Sequence, residues 1–311
     1  MSRFRLSLFV LTLTAVALAG CGSDFDPPSL VKGIRVLAAR AEPPYLAGAP
    51  GSSTVLDAKV VGVTAETQLC HAWALCLFAT TVNGKFACVD PQLQVDLGVQ
   101  ATATASFEHL TTLAAGLAAY QQANPGAGGT SGVGGIPSSI AGAKGPPEIK
   151  VLFGVAEAAS FGGTCPATAT AFLAQGCPDR DHCVIGYRSL TIPTDAKDFH
   201  ANPAIDLLKV EGKALLTGET AQVVGKAEVA LAPDWTELTP TGLPVDATAT
   251  GDVLFAWYST AGDFDQQRSY QDYPDNKWLS DGVATGKAVD VWVVARDDFG
   301  GVAWLQVKLQ R

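Results

Sequence analysis

Apolar residues recur at every second position in a series of short segments bounded by proline and glycine. That alternation belongs to strands with one buried face. Segments 34–41, 53–63, 70–78, 148–156 and 184–192 read as strands in the first part of the chain, with the alternation visible in 53–63. Segments 205–216, 221–231, 253–259, 288–296 and 302–309 carry it in the second. Val253, Phe255 and Trp257 share one face of their predicted strand, as do Ala303, Leu305, Val307 and Leu309 of theirs. One stretch departs from the pattern. Leu110, Leu113, Leu117 and Tyr120 recur at spacings of three and four among alanines, which predicts a single amphipathic helix over 107–124. Pro125-Gly126 stops it, and residues 127–145, rich in Gly, Ala and Ser, read as a flexible loop.

The polar segment 195–203 separates the two series. The expected fold class is therefore mainly β, with two antiparallel β-sandwich domains over 34–198 and 199–311. The helix and Gly-rich loop form an insertion in the first, at about 107–145. A strand, a Pro-Gly turn, a second strand and then Cys70-His71-Ala72-Trp73 resemble the opening of an immunoglobulin-like sandwich. Five of the six tryptophans lie in the second domain, which suits a sandwich core. With 311 residues, 48% hydrophobic and 16% charged, the chain is long enough to fill two cores. Its formal charge of -9 argues against nucleic acid and against docking on anionic headgroups.

The start of the chain changes the picture most. Arg3 and Arg5 precede an uncharged stretch at 6–19, and small residues follow. This is the pattern of a secretory signal, and the run is shorter than the roughly 20 apolar residues a spanning helix needs. Leu18-Ala19-Gly20-Cys21 resembles the lipobox of bacterial lipoproteins. That resemblance implies cleavage of a signal peptide at 1–20, a diacylglycerol on Cys21 and an acylated new amino terminus. Residues 21–33 then form the lipidated cysteine and its tether. Gly22, where an aspartate would retain the protein, implies the cell outer membrane, on its periplasmic face or at the cell surface.

Seven cysteines minus the anchor leave Cys70, Cys76, Cys88, Cys165, Cys177 and Cys183. An even set in an exported chain reads as disulfides. Six extended residues span about 20 Å, so Cys70 and Cys76 cannot bridge within one strand. The expected pairs are Cys76–Cys88 and Cys165–Cys177 as local loops, with Cys70–Cys183 tying the clusters together. Zinc on Cys165, Cys177, His182 and Cys183 is disfavoured. No CxxC knuckle is present, and adjacent His182 and Cys183 point to opposite faces of a strand.

The ending Val289-Asp290-Val291-Trp292-Val293-Val294-Ala295-Arg296-Asp297-Asp298-Phe299-Gly300-Gly301 resembles the closing hairpin of polycystic-kidney-disease-type and other immunoglobulin-like domains. The wider combination comprises the lipobox, Leu30-Val31-Lys32-Gly33-Ile34-Arg35-Val36-Leu37-Ala38, Ala41-Glu42-Pro43-Pro44 and Phe255-Ala256-Trp257-Tyr258-Ser259-Thr260-Ala261-Gly262. Together with that hairpin it resembles a group of myxobacterial-type outer-membrane lipoproteins. The resemblance implies fold and location, and brings no catalytic residues.

No catalytic constellation emerges. Asp298-Phe299-Gly300 matches a kinase triplet but lacks that enzyme's other motifs, and reads as a hairpin turn. The Gly-rich loop lacks the Gly-Lys-Ser/Thr ending of a phosphate-binding loop. His71, His109, His182 and His200 are scattered. Asp263, Asp265, Asp272, Asp275 and Asp281 have no calcium-loop register. The expected function is a non-enzymatic, lipid-anchored binding or structural module of the cell envelope, with no cofactor. Its expected partners are the membrane, through the lipid, and an envelope protein or glycan; nucleic acid is excluded. One alternative is a carbohydrate- or peptidoglycan-binding module using Tyr270, Tyr273 and Trp278 in the loop 262–282, where rings stack on sugars and acids bind hydroxyls. Another is a hydrolase assembled from distant residues.

Overall fold

A computed structural model describes residues 28–82, 85–124, 146–236 and 252–311. The signal, Cys21 and the Gly-rich loop lie outside the described residues.

Strands β1 (Arg35–Glu42), β2 (Ser53–Val61), β3 (Leu69–Cys76), β4 (Ala79–Val82), β5 (Lys85–Cys88), β6 (Gln94–Gly98) and β7 (Ala103–Ser106) come first. Helix α1 (Phe107–Ala123), β8 (Glu148–Glu157), a second helix α2 (Ala169–Gln175) and β9 (Cys183–Thr191) follow. One sheet has the order β1-β2-β7 and the other β6-β3-β8-β9, all antiparallel. In immunoglobulin lettering these are A-B-E and C′-C-F-G. Beyond Pro43 the chain crosses to the second sheet, where Tyr45 bridges Thr191 in parallel. Alternation on β3 sends Trp73 and Leu75 inward against Leu56, Val151 and Leu190. Trp73 is fully buried, and its Nε1 donates to the Gln100 carbonyl at 3.1 Å. A ring of that size removes roughly 150–250 Å² from water, about 4–6 kcal/mol before entropic costs.

The remaining strands are β10 (Ala204–Val210), β11 (Lys213–Leu215), β12 (Thr220–Gln222), β13 (Glu228–Thr236), β14 (Leu254–Ser259), β15 (Asp263–Phe264), β16 (Arg268–Tyr270), β17 (Asn276–Leu279), β18 (Ala288–Arg296) and β19 (Val302–Gln310). They form sheets β11-β10-β13-β17-β15 and β12-β19-β18-β14-β16. The only parallel pairing between these strands is β12 with β19, as A′ lies on G in a variable-type sandwich. The tryptophan of the C strand recurs: Trp257 on β14 is buried, and its Nε1 donates to Ser269 Oγ at 2.9 Å. Predicted segment 205–216 is not one strand. Glu211 and Gly212 both take positive φ, 52° and 80°, the geometry of a two-residue hairpin turn. Segment 221–231 is likewise split between β12 and β13, with Gly225 at φ 75°.

The two sandwiches meet face to face. Strand β1 packs against β19. Arg296 donates to the Leu37 carbonyl, and the Arg40 guanidinium lies 4.5 Å over the Trp304 ring. Val31, Leu37, Ala38 and Val61 pack there against Trp292, Val294 and Val302.

Candidate functional site

All six disulfide cysteines cluster on the outer face of the β6-β3-β8-β9 sheet. On β3 the outward positions are Cys70, Ala72, Ala74 and Cys76, and small residues leave room for a second layer. Phe172 and Leu173 of α2 fill it. Gly154 on β8 has to be glycine, since a Cβ there would stand 2.4 Å from the Phe172 ring. Helix α2 was missed in the sequence because it has only seven residues, yet Thr168 gave a start signal: its side chain accepts from the Ala171 N–H.

The pairs are Cys70–Cys165, Cys76–Cys88 and Cys177–Cys183. Cys76–Cys88 agrees with expectation, and the other two correct it. Cys70 lies opposite Ala156 and Ala156 opposite Cys183, so Cys70 and Cys183 are two strand spacings apart. That is about 10 Å, beyond the roughly 7 Å Cα limit of a disulfide. Helix α2 stands between Cys165 and Cys177, and each ties to the sheet instead. Cys76–Cys88 spans the β4–β5 hairpin, and the other two fasten the long β8–β9 connection.

The predicted aromatic platform is divided. Trp278 is fully buried in the second core, with Nε1 donating to the Ala261 carbonyl at 3.0 Å. It belongs to β17, whose alternation turns it inward, and it leaves the platform. Tyr270 and Tyr273 remain, 60% and 82% exposed, at the two ends of one tight turn where the Tyr273 N–H donates to the Tyr270 carbonyl. Asp272 lies between them and Asp275 just beyond.

The polar groups of the junction carry no signal in the local sequence. A cavity of about 320 Å³ opens between β1, β9 and the β18–β19 turn. Arg188 spans it, donating to the carbonyls of Ala39 (3.0 Å), Gly300 (2.7 Å) and Ser189 (3.2 Å). Burial pushes its guanidinium down to about 10, against the pull of Asp297 and Asp57. Asn202 donates to the Ala41 carbonyl and to Glu42 Oε2, both at 2.7 Å, and accepts from the Val302 N–H at 2.8 Å. Asp297 Oδ1 accepts from the backbone N–H groups of Phe299 (2.9 Å) and Gly301 (2.6 Å), while buried Oδ2 has no partner. A side chain at Gly301 would meet that oxygen at 2.2 Å. A second cavity of about 400 Å³ lies on the other flank, lined by Ser29, Arg35, Tyr258 and Arg268.

Among the described residues a serine–lysine pair occurs. Lys150 on β8 donates to Ser189 Oγ on β9 and to Glu148 Oε2 at 2.9 Å. Burial raises the Glu148 carboxyl, but hydrogen bonds from Lys150 and Ser189 outweigh it and leave it below the usual range. Lys150 and Ser189 are register partners, so the pair braces two strands. Among the described residues no group of three His, Cys, Asp or Glu side chains is placed to hold a metal.

No family model and no curated protein matches the chain. Solved structures do align with it. The D0-D1 domain of intimin aligns at 11% identity over 89% of this chain and 99% of its own, with a TM-score of 0.22. The two tandem V-type regions of VCBP3, a v-region-containing chitin binding protein, give 12%, 89%, 100% and 0.25. The N-terminal Ig1-2 module of the Drosophila receptor protein tyrosine phosphatase DLAR gives 10%, 89%, 98% and 0.20. Likenesses at these TM-scores carry no argument about function or about the arrangement of the sandwiches, so the fold rests on strand order. The described chain is a mainly β protein of antiparallel, immunoglobulin-like sandwiches.

Proposed function

We propose that this chain is a lipid-anchored, non-enzymatic module of the bacterial cell envelope, of the myxobacterial outer-membrane lipoprotein type, which binds or braces an envelope partner. The observation that carries the reading is the Leu18-Ala19-Gly20-Cys21 motif, set seven residues before the first described position, Pro28. Disulfides on the outer face of one sheet suit an oxidising compartment. Mass spectrometry of the amino-terminal peptide tests the anchor. A diacylated and N-acylated Cys21 is expected, with Cys21→Ser abolishing membrane retention; a soluble, unmodified chain would overturn the reading. In-cell cross-linking and capture then separate a protein partner from a glycan or a purely structural role.

A second reading, glycan binding, has one observation in its favour. Tyr270 and Tyr273 present exposed rings beside Asp272 and Asp275, so a sugar face has somewhere to stack and its hydroxyls have acceptors. Trp278 has no part in it. Tyr273→Ala is expected to abolish sedimentation with purified sacculi, and sedimentation unaffected by that change would end the reading.

A further inference from the structure

Residues 29–31 dock on the second sandwich before the chain enters the first. The Ser259 N–H donates to the Ser29 carbonyl (3.0 Å), and the Val31 N–H donates to the Ser259 carbonyl (2.8 Å), with Leu30 bridging Ser259 in parallel. Ser29 Oγ donates to Asp263 Oδ1 at 3.1 Å. Because the pairing is parallel, the chain before Ser29 points back along β14 towards Trp257. That length of edge is already taken. The Trp257 N–H donates to the Gln267 carbonyl at 3.2 Å, and Arg268 lies opposite Ala256. Pro28 stands where the pairing stops, with Pro27 before it in the sequence, and neither has an N–H to donate. The chain therefore turns off the sheet edge at Pro28, which lines the cavity of about 400 Å³ on that flank.

The charge of this cavity runs against that of the whole chain. Arg35 and Arg268 line it, and no Asp or Glu among the described residues does, although the formal charge of the chain is -9. Neither arginine has an ion pair among the described residues. Arg35 donates to the Pro28 carbonyl, while Arg268 is exposed and its side chain makes no hydrogen bond there. Half-buried Val36, Val184 and Tyr258 give the cavity an apolar wall. The sequence just before Pro28 is the complement of this lining: Asp24-Phe25-Asp26, two carboxylates flanking a ring. Asp26 is two residues from Pro28 and so within about 7 Å of it, and Asp24 is four residues away, within about 14 Å. Groups linked this closely reach effective concentrations on the order of millimolar, which a dilute free anion does not match.

We infer that this cavity is the seat of the chain's own Asp24-Phe25-Asp26 segment, with its carboxylates on Arg35 and Arg268 and its ring on the apolar wall. On the lipid-anchor reading, seating leaves at most about 11 Å of chain between Cys21 and the seated segment, against about 25 Å to Pro28. The seat itself does not depend on that reading, and an unmodified Cys21 ends the anchor reading alone. Exposed ion pairs are individually weak, so the expected protection is several-fold and salt-sensitive. The test is amide hydrogen exchange on the full chain. Exchange over residues 23–26 is expected to be several-fold slower than in a free peptide of residues 22–31. It should return to the peptide rate in Arg268→Gln and in the double variant Asp24→Asn, Asp26→Asn, while residues 29–31 stay protected. In Arg268→Lys, a carbodiimide should join position 268 to Asp24 or Asp26, as it joins Lys277 to Glu228, whose charged atoms are 2.9 Å apart. Peptide-like exchange over 23–26 in the native chain, slow exchange that Arg268→Gln leaves unchanged, or a Lys277–Glu228 link without one from position 268 to Asp24 or Asp26 would each overturn the seat.

Discussion

Asp297 holds the β18–β19 turn with one oxygen and buries the other without a partner. Burial raises its carboxyl above the ordinary range, while the N–H groups of Gly301 and Phe299 pull it back. A carboxyl raised in the folded state contributes stability that is complete below its unfolded pKa and is lost as pH rises through the folded value. Asp297→Asn keeps an oxygen for the two N–H groups and removes the charge. Arg188 stays held by its three carbonyls. The melting temperature of the variant relative to the native chain is therefore expected to rise as pH goes from acid to neutral, on a scale of about 1–3 kcal/mol. A pH-independent difference would show that Asp297 contributes no such linkage. Asp297 could not be singled out in the sequence among the many aspartates, because burial is a property of the junction and not of the turn.

Elements differ in how far they could be read from sequence. Long alternating strands such as β8, β18 and β19 lie within a residue of the predicted segments, since a one-residue slip would turn every side chain to the wrong face. Helix α1 also matches, with Leu113 and Tyr120 buried on its apolar side. Features made by tertiary contact were not legible. The outward row of Cys and Ala on β3 signals a covering layer only once α2 is seen on it. Trp278 reads as a loop residue until β17 turns it inward. The disulfides likewise follow from which strands are neighbours. Their contributions are expected to rank by the loop each closes, with separations of 95 residues for Cys70–Cys165, 12 for Cys76–Cys88 and 6 for Cys177–Cys183. Paired Cys→Ser replacement should cost about 4–5 kcal/mol for the first, and less for the two short loops. Urea titration of the three double variants checks the order, and loss largest in the 6-residue loop would point to native packing instead.

At the scale of the molecule, the face-to-face seam is the feature that no strand pattern predicts. It uses outward positions that alternation assigns to solvent, among them Trp292, Val294 and Val302. Val294→Asp places a carboxylate in that seam while leaving the inward side of β18 untouched. Small-angle scattering is expected to show an increased radius of gyration with β-sheet circular dichroism retained. An unchanged radius would mean that the polar contacts across the junction, among them those of Arg188, Asn202 and Arg296, hold the sandwiches without the apolar seam. Residues 29–31, which hydrogen-bond to Ser259 of the second sandwich before the first one begins, carry a last consequence, for the order in which the chain is made. Ser29 is among the first described residues to be made, but its acceptor, Asp263, lies 234 residues later. The first sandwich has its strands and all three disulfides by residue 191, whereas residues 29–31 must wait until β14 and the loop after it have arrived. Contacts of such separation form late. The nascent chain therefore spends an interval with residues 29–31 unseated, and they take their final place only when the closing third of the chain has folded.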